Sequence, residues 1–448
     1  MQNKLSTYSF YSIIIFLIVS VYSCGPSKGY LAGASAYQDE EQLWDPAYRI
    51  YHLSENTTRF YFIIPPGDIL YVRNPSTYKF EASGEIAYRI VTNNNTTIDA
   101  GTVKITKEED KIPNDALIGY FDVKIPSGAF YYAKVVLDDK LKKKQFTDIL
   151  TIDKTNHSSK ENFIITDTTN RVVFLDYINS NEKIKISSER IKSSKFFVTK
   201  FYLDESFPTP IYIERNANRT NLKIDTIFSI NADEYTTFYD KGIYLISKDS
   251  ASVVGLTLFN FYEGYPLIAQ KENLAPPMRY ITSDEEFNSL DVGTEESKLK
   301  TERLWASMSS SLPTTEKQLV TYYKRVQFAN VYYTSHKEGW KTDRGLVYTI
   351  FGQPSNIYKT PSEEIWNYGL SNSSLEFNFK FTKKRNPLSD NDFALERDRN
   401  MKDIWQKAIE TWRKGKVFDE AEIIRLQQEL ERQRNARNNY LYPTYRGY

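Results

Sequence analysis

Between positions 44 and 156 apolar and polar residues alternate in short runs that stop at turn residues. The run Arg59-Phe60-Tyr61-Phe62-Ile63-Ile64 ends at Pro65-Pro66-Gly67, the run 86–91 ends at Asn93-Asn94-Asn95, and the run 128–136 ends at Leu137-Asp138-Asp139. A period of two places one set of side chains on a buried face and the other in water, which is the pattern of a strand covered on one side. Short strands with turn signals between them predict an antiparallel, Ig-like β-sandwich over 44–156. The runs 163–165, 171–175, 195–203, 211–213 and 242–246 are short, strand-like segments of the same kind and predict a second Ig-like sandwich over 157–275. Neither stretch carries a helical period.

Pro276-Pro277 marks a boundary, and beyond it the period changes. Ser283 and Glu286 are spaced as a capping box that opens a helix. Residues 295–309 continue in helical style, and Pro313-Thr314-Thr315-Glu316 begins a longer helix with Leu319, Tyr322, Tyr323, Val326 and Ala329 along one face. Strands are expected again at 346–351, 365–368 and 375–381. In the last, Leu375, Phe377, Phe379 and Phe381 share a face. Ile404, Trp405, Ala408, Ile409 and Trp412 predict another helix, continued by Ile423, Ile424, Leu426 and Leu430. The chain as a whole reads as multidomain: two sandwiches, an α+β domain over 278–420 and a helical, basic tail over 421–448.

The N-terminus has a different pattern. Lys4 precedes an apolar stretch over 10–22, which is followed by Ser23-Cys24-Gly25-Pro26. A charged start, an apolar segment too short to span a bilayer and a small-residue cleavage site make residues 1–23 a secretion signal. Val21-Tyr22-Ser23-Cys24 resembles the lipobox of bacterial lipoproteins, which implies that Cys24 is lipidated and that 24–43 is a tether. Cys24 is the single cysteine of 448 residues, so the mature chain has no thiol for a disulfide and depends on packed cores. Several acyl chains anchor stably where one does not. Gly25 follows the cysteine and no acid stands near it, which favours the periplasmic face of the outer membrane over surface display.

The formal net charge of +1 offers no electrostatic footprint for nucleic acid. Aromatic residues make up 15%, with 34 tyrosines. That composition suits strands first, and carbohydrate stacking or a protein interface second.

Between the long helix and the next expected strand stands Gly339-Trp340-Lys341-Thr342-Asp343-Arg344-Gly345. With Tyr322-Tyr323-Lys324-Arg325-Val326 before it, Gly352-Gln353-Pro354 and Ile365-Trp366-Asn367-Tyr368 after it, and Trp412-Arg413-Lys414-Gly415 at the end, this segment resembles the GWxTD domain of exported proteins and lipoproteins of the Bacteroidota. The resemblance implies an envelope address and strand-rich sequence ahead of the domain, and it brings no established reaction. A structural account covers the motif. Gly339 would take a left-handed helix end, Trp340 would turn onto the core, and Thr342 and Asp343 would bond nearby backbone N–H groups. Arg344 would pair with Asp343 or another carboxylate, and Gly345 would let a strand begin.

Candidate chemistry is sparse. His52, His157 and His336 lack metal spacing. Ser335, His336 and Asp343 permit a Ser/His/Asp arrangement by arithmetic alone. Asp390-Asn391-Asp392 supplies oxygen ligands of the kind calcium takes. Asp167-Thr168-Thr169, Asp225-Thr226-Ile227 and Asp249-Ser250-Ala251 are similar to O-glycosylation acceptors of the same phylum. No cofactor, metal or catalytic constellation is expected. The leading expectation is a non-catalytic lipoprotein that binds a protein partner in the envelope, such as an outer-membrane barrel complex for assembly, secretion or uptake. A glycan-binding module with aromatic platforms is the second reading. A hydrolase using His336 or Asp343 is the third.

Overall fold

Alternation in the first third of the chain becomes two antiparallel sheets. In the computed structural model, residues 46–432 are described apart from 66, 215–221, 269, 310, 370–375, 427, 430 and 431. The signal segment, Cys24, Leu375, Leu430 and the tail beyond 432 therefore lie outside the described residues. Strands β1 (Ala47–His52), β2 (Thr57–Ile64), β3 (Tyr71–Arg73), β4 (Phe80–Thr92), β5 (Thr97–Glu109), β6 (Leu117–Lys124), β7 (Phe130–Asp139) and β8 (Lys144–Asp153) follow in order. One sheet runs β1-β2-β6; the other runs β3-β4-β7-β8, with β5 also paired to β4. Strict alternation in β2 sends Phe60, Phe62 and Ile64 inward. There they meet Phe121, Ile86, Ile90, Val135 and Leu137 in a core shared by both sheets.

The second β-unit contains β9 (Ile164–Thr166), β10 (Ile184–Ser187), β11 (Lys195–Phe201), β12 (Ile224–Asn231), β13 (Tyr235–Thr236), β14 (Gly242–Ser247) and β15 (Leu256–Asn260). Its sheets run β13-β10-β9 and β12-β11-β14-β15. Two expected strands are absent here. Residues 171–175 make only a single bridge at Val172, because the Asp167 carboxylate turns the chain by accepting from the Thr169 and Arg171 N–H groups. Farther along, Arg49 of the first unit takes the carbonyls of Val173 and Leu175 that a neighbouring strand would otherwise use. Residues 211–213 form a turn closed by Ile213 N–H on the Pro210 carbonyl, with Ile211 buried.

Strands β14 and β15 are buried on both faces. Tyr244, Ile246, Leu256 and Leu258 face a core built with the small sheet, while Ile243, Leu245 and Phe259 face the helices that follow. A strand covered on both sides reads as a continuous apolar run, which is why 242–246 shows no alternation.

The C-terminal part is α+β. Its helices are α1 (Asp284–Ser289), α2 (Ser297–Met308), α3 (Leu312–Tyr332), α4 (Asp343–Phe351) and α5 (Lys402–Arg413), and residues 420–426 are also helical. The Ser283/Glu286 capping box forms as the sequence predicts. A four-stranded antiparallel sheet, β16 (Asn356–Lys359), β17 (Glu363–Tyr368), β18 (Phe377–Lys383) and β19 (Phe393–Leu395), closes the domain. The expected strand at 346–351 is instead helix α4, every residue of which is buried. An all-round apolar segment has no period to distinguish helix from strand, and the Thr342 cap with the surrounding core decides for helix. Among the described residues, no helix is long and apolar enough to cross a membrane.

Candidate functional site

The heptad 339–345 joins the end of α3 to the start of α4. Gly339 opens a 3-10 turn, Gly339–Lys341, pressed against α3. A Cβ at Gly339 would lie 1.8 Å from the Ala329 carbonyl oxygen, and one at Gly345 would lie 2.0 Å from the Gly339 oxygen. Neither glycine has a positive φ, and Gly345 lies inside a helix. The left-handed helix end and the strand start expected from sequence are thus replaced by close backbone approach. Thr342 does cap: its hydroxyl accepts from Gly345 N–H at 3.0 Å and donates to the Gly339 carbonyl at 2.7 Å. That satisfies one of the unpaired N–H groups of the first helical turn.

Trp340 is buried, donates its indole N–H to Glu338 at 2.7 Å and receives the Tyr280 hydroxyl on its carbonyl at 2.6 Å. Its backbone N–H goes to Asn330 Oδ1 at 3.2 Å. Asn330 is fully buried and also donates to the Pro266 carbonyl at 3.1 Å, so one amide links α3, the motif and the loop after β15.

Asp343 and Arg344 do not pair with each other. The Asp343 carboxylate accepts both guanidinium nitrogens of Arg397, at 2.7 and 3.0 Å, and the Leu395 N–H at 2.8 Å. Arg344 pairs with Glu364 at 2.9 Å, donates to the Asn391 carbonyl at 2.9 Å, and lies 4.1 Å over the Phe393 ring. These side chains are 8% (Asp343), 5% (Arg397), 5% (Arg344) and 9% (Glu364) exposed, so the pairs are withdrawn from water. Bidentate geometry with further donors is what offsets the desolvation of such charges. The local backbone bonding expected of Asp343 is replaced by this long-range clamp onto β19.

The motif also grips the second β-unit. After β11, residues 202–210 have no regular secondary structure and cross onto the motif as an arm. Asp204 pairs with Lys337 at 2.8 Å and Glu205 with Lys341 at 2.5 Å. Phe207 packs on Trp340 and Phe287, with centroids at 5.7 and 5.9 Å, and Arg397 donates to the Thr209 carbonyl at 3.1 Å. Burial works to raise the Asp204 carboxyl, but Lys337 and Ser206 override it and hold it at about 2. For Lys341 burial works downward, and the Glu338 and Glu205 carboxylates reverse it so that the ammonium lies above its ordinary range. The sequence predicts strands that end at 203 and begin at 211, with no element over 204–210. The signal there is a pair of acids before Phe207-Pro208 with no strand period.

His336 and Asp343 serve different partners. The His336 Nδ1 lies 3.1 Å from the Ser335 hydroxyl, 3.0 Å from the Asn386 amide and 3.7 Å from Asp392. Ser335 and Asp392 thus approach one ring nitrogen, whereas a nucleophile–base–acid relay uses opposite nitrogens. Asp390, Asn391 and Asp392 fan apart: Asp390 pairs with Lys160 at 2.5 Å, Asn391 donates to the Tyr332 and Thr334 carbonyls, and Asp392 accepts from Asn386. Among the described residues, no group of three His, Cys, Asp or Glu side chains is placed to hold a metal. Trp305, Trp340, Trp366, Trp405 and Trp412 are all buried, so these rings belong to cores. His52, also buried, accepts from Thr58 at 3.0 Å and donates to the Asp153 carbonyl at 3.1 Å; burial lowers it to about 3.

A family profile described as the GWxTD domain matches residues 242–414. The chain carries a GWxTD domain. The match begins at the first residue of β14, the strand whose one face already belongs to the helical core. The GWxTD domain thus takes in β14 and β15 as one wall, while the arm 202–210 lies outside it. No curated protein matches this chain. Two structures of glycosyl hydrolase family 2 members from Bacteroides cellulosilyticus are similar to it in part, at 12% and 13% identity and a TM-score of 0.17. The similarity covers 31% of this chain and 17% and 19% of those enzymes. The chain therefore spans less than a fifth of their length.

Proposed function

We propose that this chain is an outer-membrane lipoprotein, held through Cys24 and facing the periplasm, that serves as a non-catalytic binding or scaffold component of an envelope protein complex. The two β-units are read as Ig-like sandwiches that present surfaces to the partner, with the GWxTD domain as their rigid base. The observation that carries this reading is where apolar surface is left in water. Ile224, Ile227 and Phe228 are 51%, 49% and 37% exposed on the edge strand β12, which pairs only with β11 among the described strands. Ile118 and Tyr120 are likewise exposed on β6, at the edge of its sheet. Edge strands that combine open backbone groups with apolar side chains are adhesive toward other chains. Asp343 and Arg344 of the motif, by contrast, are committed to buried partners within the fold.

The test is affinity purification of the full-length protein from native membranes after mild crosslinking. An envelope protein recovered in fixed proportion, and lost when Ile227 and Phe228 are replaced by lysine, is the expected result. A chain that elutes alone contradicts the proposal. A Cys24→Ser variant is expected to leave the membrane fraction, and full retention would contradict the lipid anchor.

A further inference from the structure

The arm over 202–210 is bound to the GWxTD domain in the manner of a peptide ligand. It has no helix or ladder of its own, and its own backbone supplies few of the bonds that hold it. What holds it is a set of anchors projecting from the other side. The Lys337 ammonium takes Asp204 at 2.8 Å, the Ser206 hydroxyl at 2.5 Å and the Ser206 carbonyl at 3.3 Å. Lys341 takes Glu205, Trp340 and Phe287 flank the Phe207 ring, and Arg397 takes the Thr209 carbonyl. Pro208 and Pro210 preset extended backbone, so little chain entropy is lost on docking. Two buried cations beside an aromatic slot form a groove of defined chemistry: adjacent carboxylates, then an aromatic ring two residues on.

We propose that this face of the GWxTD domain is a peptide-recognition groove, filled in cis by residues 202–210 and able to take in trans an extended segment of a partner protein bearing two adjacent acids followed by an aromatic residue. The arm then acts as a tethered competitor, and a partner binds by displacing it. The groove side lies within residues 242–414 while the arm lies outside them, so the domain carries the recognition and the preceding unit supplies the occupant. This rests on the binding role proposed above and adds to the exposed edge strands a second contact of defined chemistry.

The experiment uses the full chain and a fluorescently labelled synthetic peptide of residues 202–212. A tethered segment acts at an effective concentration of order millimolar, so wild-type protein should bind the free peptide poorly. A variant with Asp204→Asn, Glu205→Gln and Phe207→Ala vacates the groove and should bind it at least about tenfold more tightly. Adding Lys341→Glu should abolish that gain. A folded arm variant that binds the peptide no better than wild type overturns the proposal. Should the arm variant fail to fold, the single variant Glu205→Gln, whose side chain is 70% exposed, decides: tighter peptide binding than wild type supports a releasable arm, and unchanged binding overturns it. A crosslinked envelope partner that is indifferent to Lys341→Glu removes the groove and leaves the scaffold role. Peptide binding with no envelope partner recovered does the reverse.

Discussion

Gly339 and Gly345 stand where a methyl group would overlap a carbonyl oxygen, at 1.8 and 2.0 Å. Since the obstructing atoms are backbone, no side chain can move aside. Each alanine variant is expected to lose about 3 kcal/mol or more in urea denaturation, and a loss below about 1 kcal/mol would contradict the close-approach account. Asp343 and Arg397 form a bidentate pair with both side chains buried. Removing either alone should cost about 3–5 kcal/mol, because it strands the other charge. The double alanine variant should recover a substantial part of the summed loss, and additivity in a double-mutant cycle would show that the pair is not coupled. At this scale the sequence told part of the story. Thr342 bonding a nearby backbone N–H and Arg344 seeking a carboxylate were legible, because both are local preferences of those side chains. Arg397 as the partner of Asp343, 54 positions away, was not, because nothing local distinguishes one arginine from another.

Among the elements, alternation told strands apart where one face meets water, as in β2, and gave no guidance at 346–351, where every residue is buried. Helix α4 is the instructive case. Leu346-Val347-Tyr348-Thr349-Ile350-Phe351 has β-branched and aromatic content that suits a strand, yet the Thr342 cap and burial on all sides make it a helix. The arm was invisible for the opposite reason, having no period at all. His52 on β1 ties its sheet to the end of β8 through the Asp153 carbonyl. Its folded value of about 3 lies below the ordinary 6.5, so the unfolded chain binds more protons between those values. The stability this neutral ring contributes is therefore complete above pH 6.5 and is lost as pH falls toward 3, at up to about 1.4 kcal/mol per pH unit. A His52→Gln variant should flatten that part of the stability profile. An unchanged slope would contradict a buried neutral imidazole.

For the whole molecule, the arrangement of cores matters more than the order of elements. The first β-unit has its own core, whereas β14 and β15 serve two cores at once and carry the helical domain on one face. The motif sits where α3, α4, β19 and the arm converge, so it locks the GWxTD domain to the second β-unit. A strand-rich front and an α+β rear were readable from periodicity. The sharing of a sheet between them was not, since hydrophobic pattern reports that a face is buried and not what buries it. Native-state hydrogen exchange along the full chain, in wild type and in Asp343→Ala, tests this lock most directly. The account predicts a coordinated loss of protection in β11, β14, α3 and α4 with the strands β2 to β8 unchanged; loss confined to residues 339–345, or spread evenly over the whole chain, would contradict it.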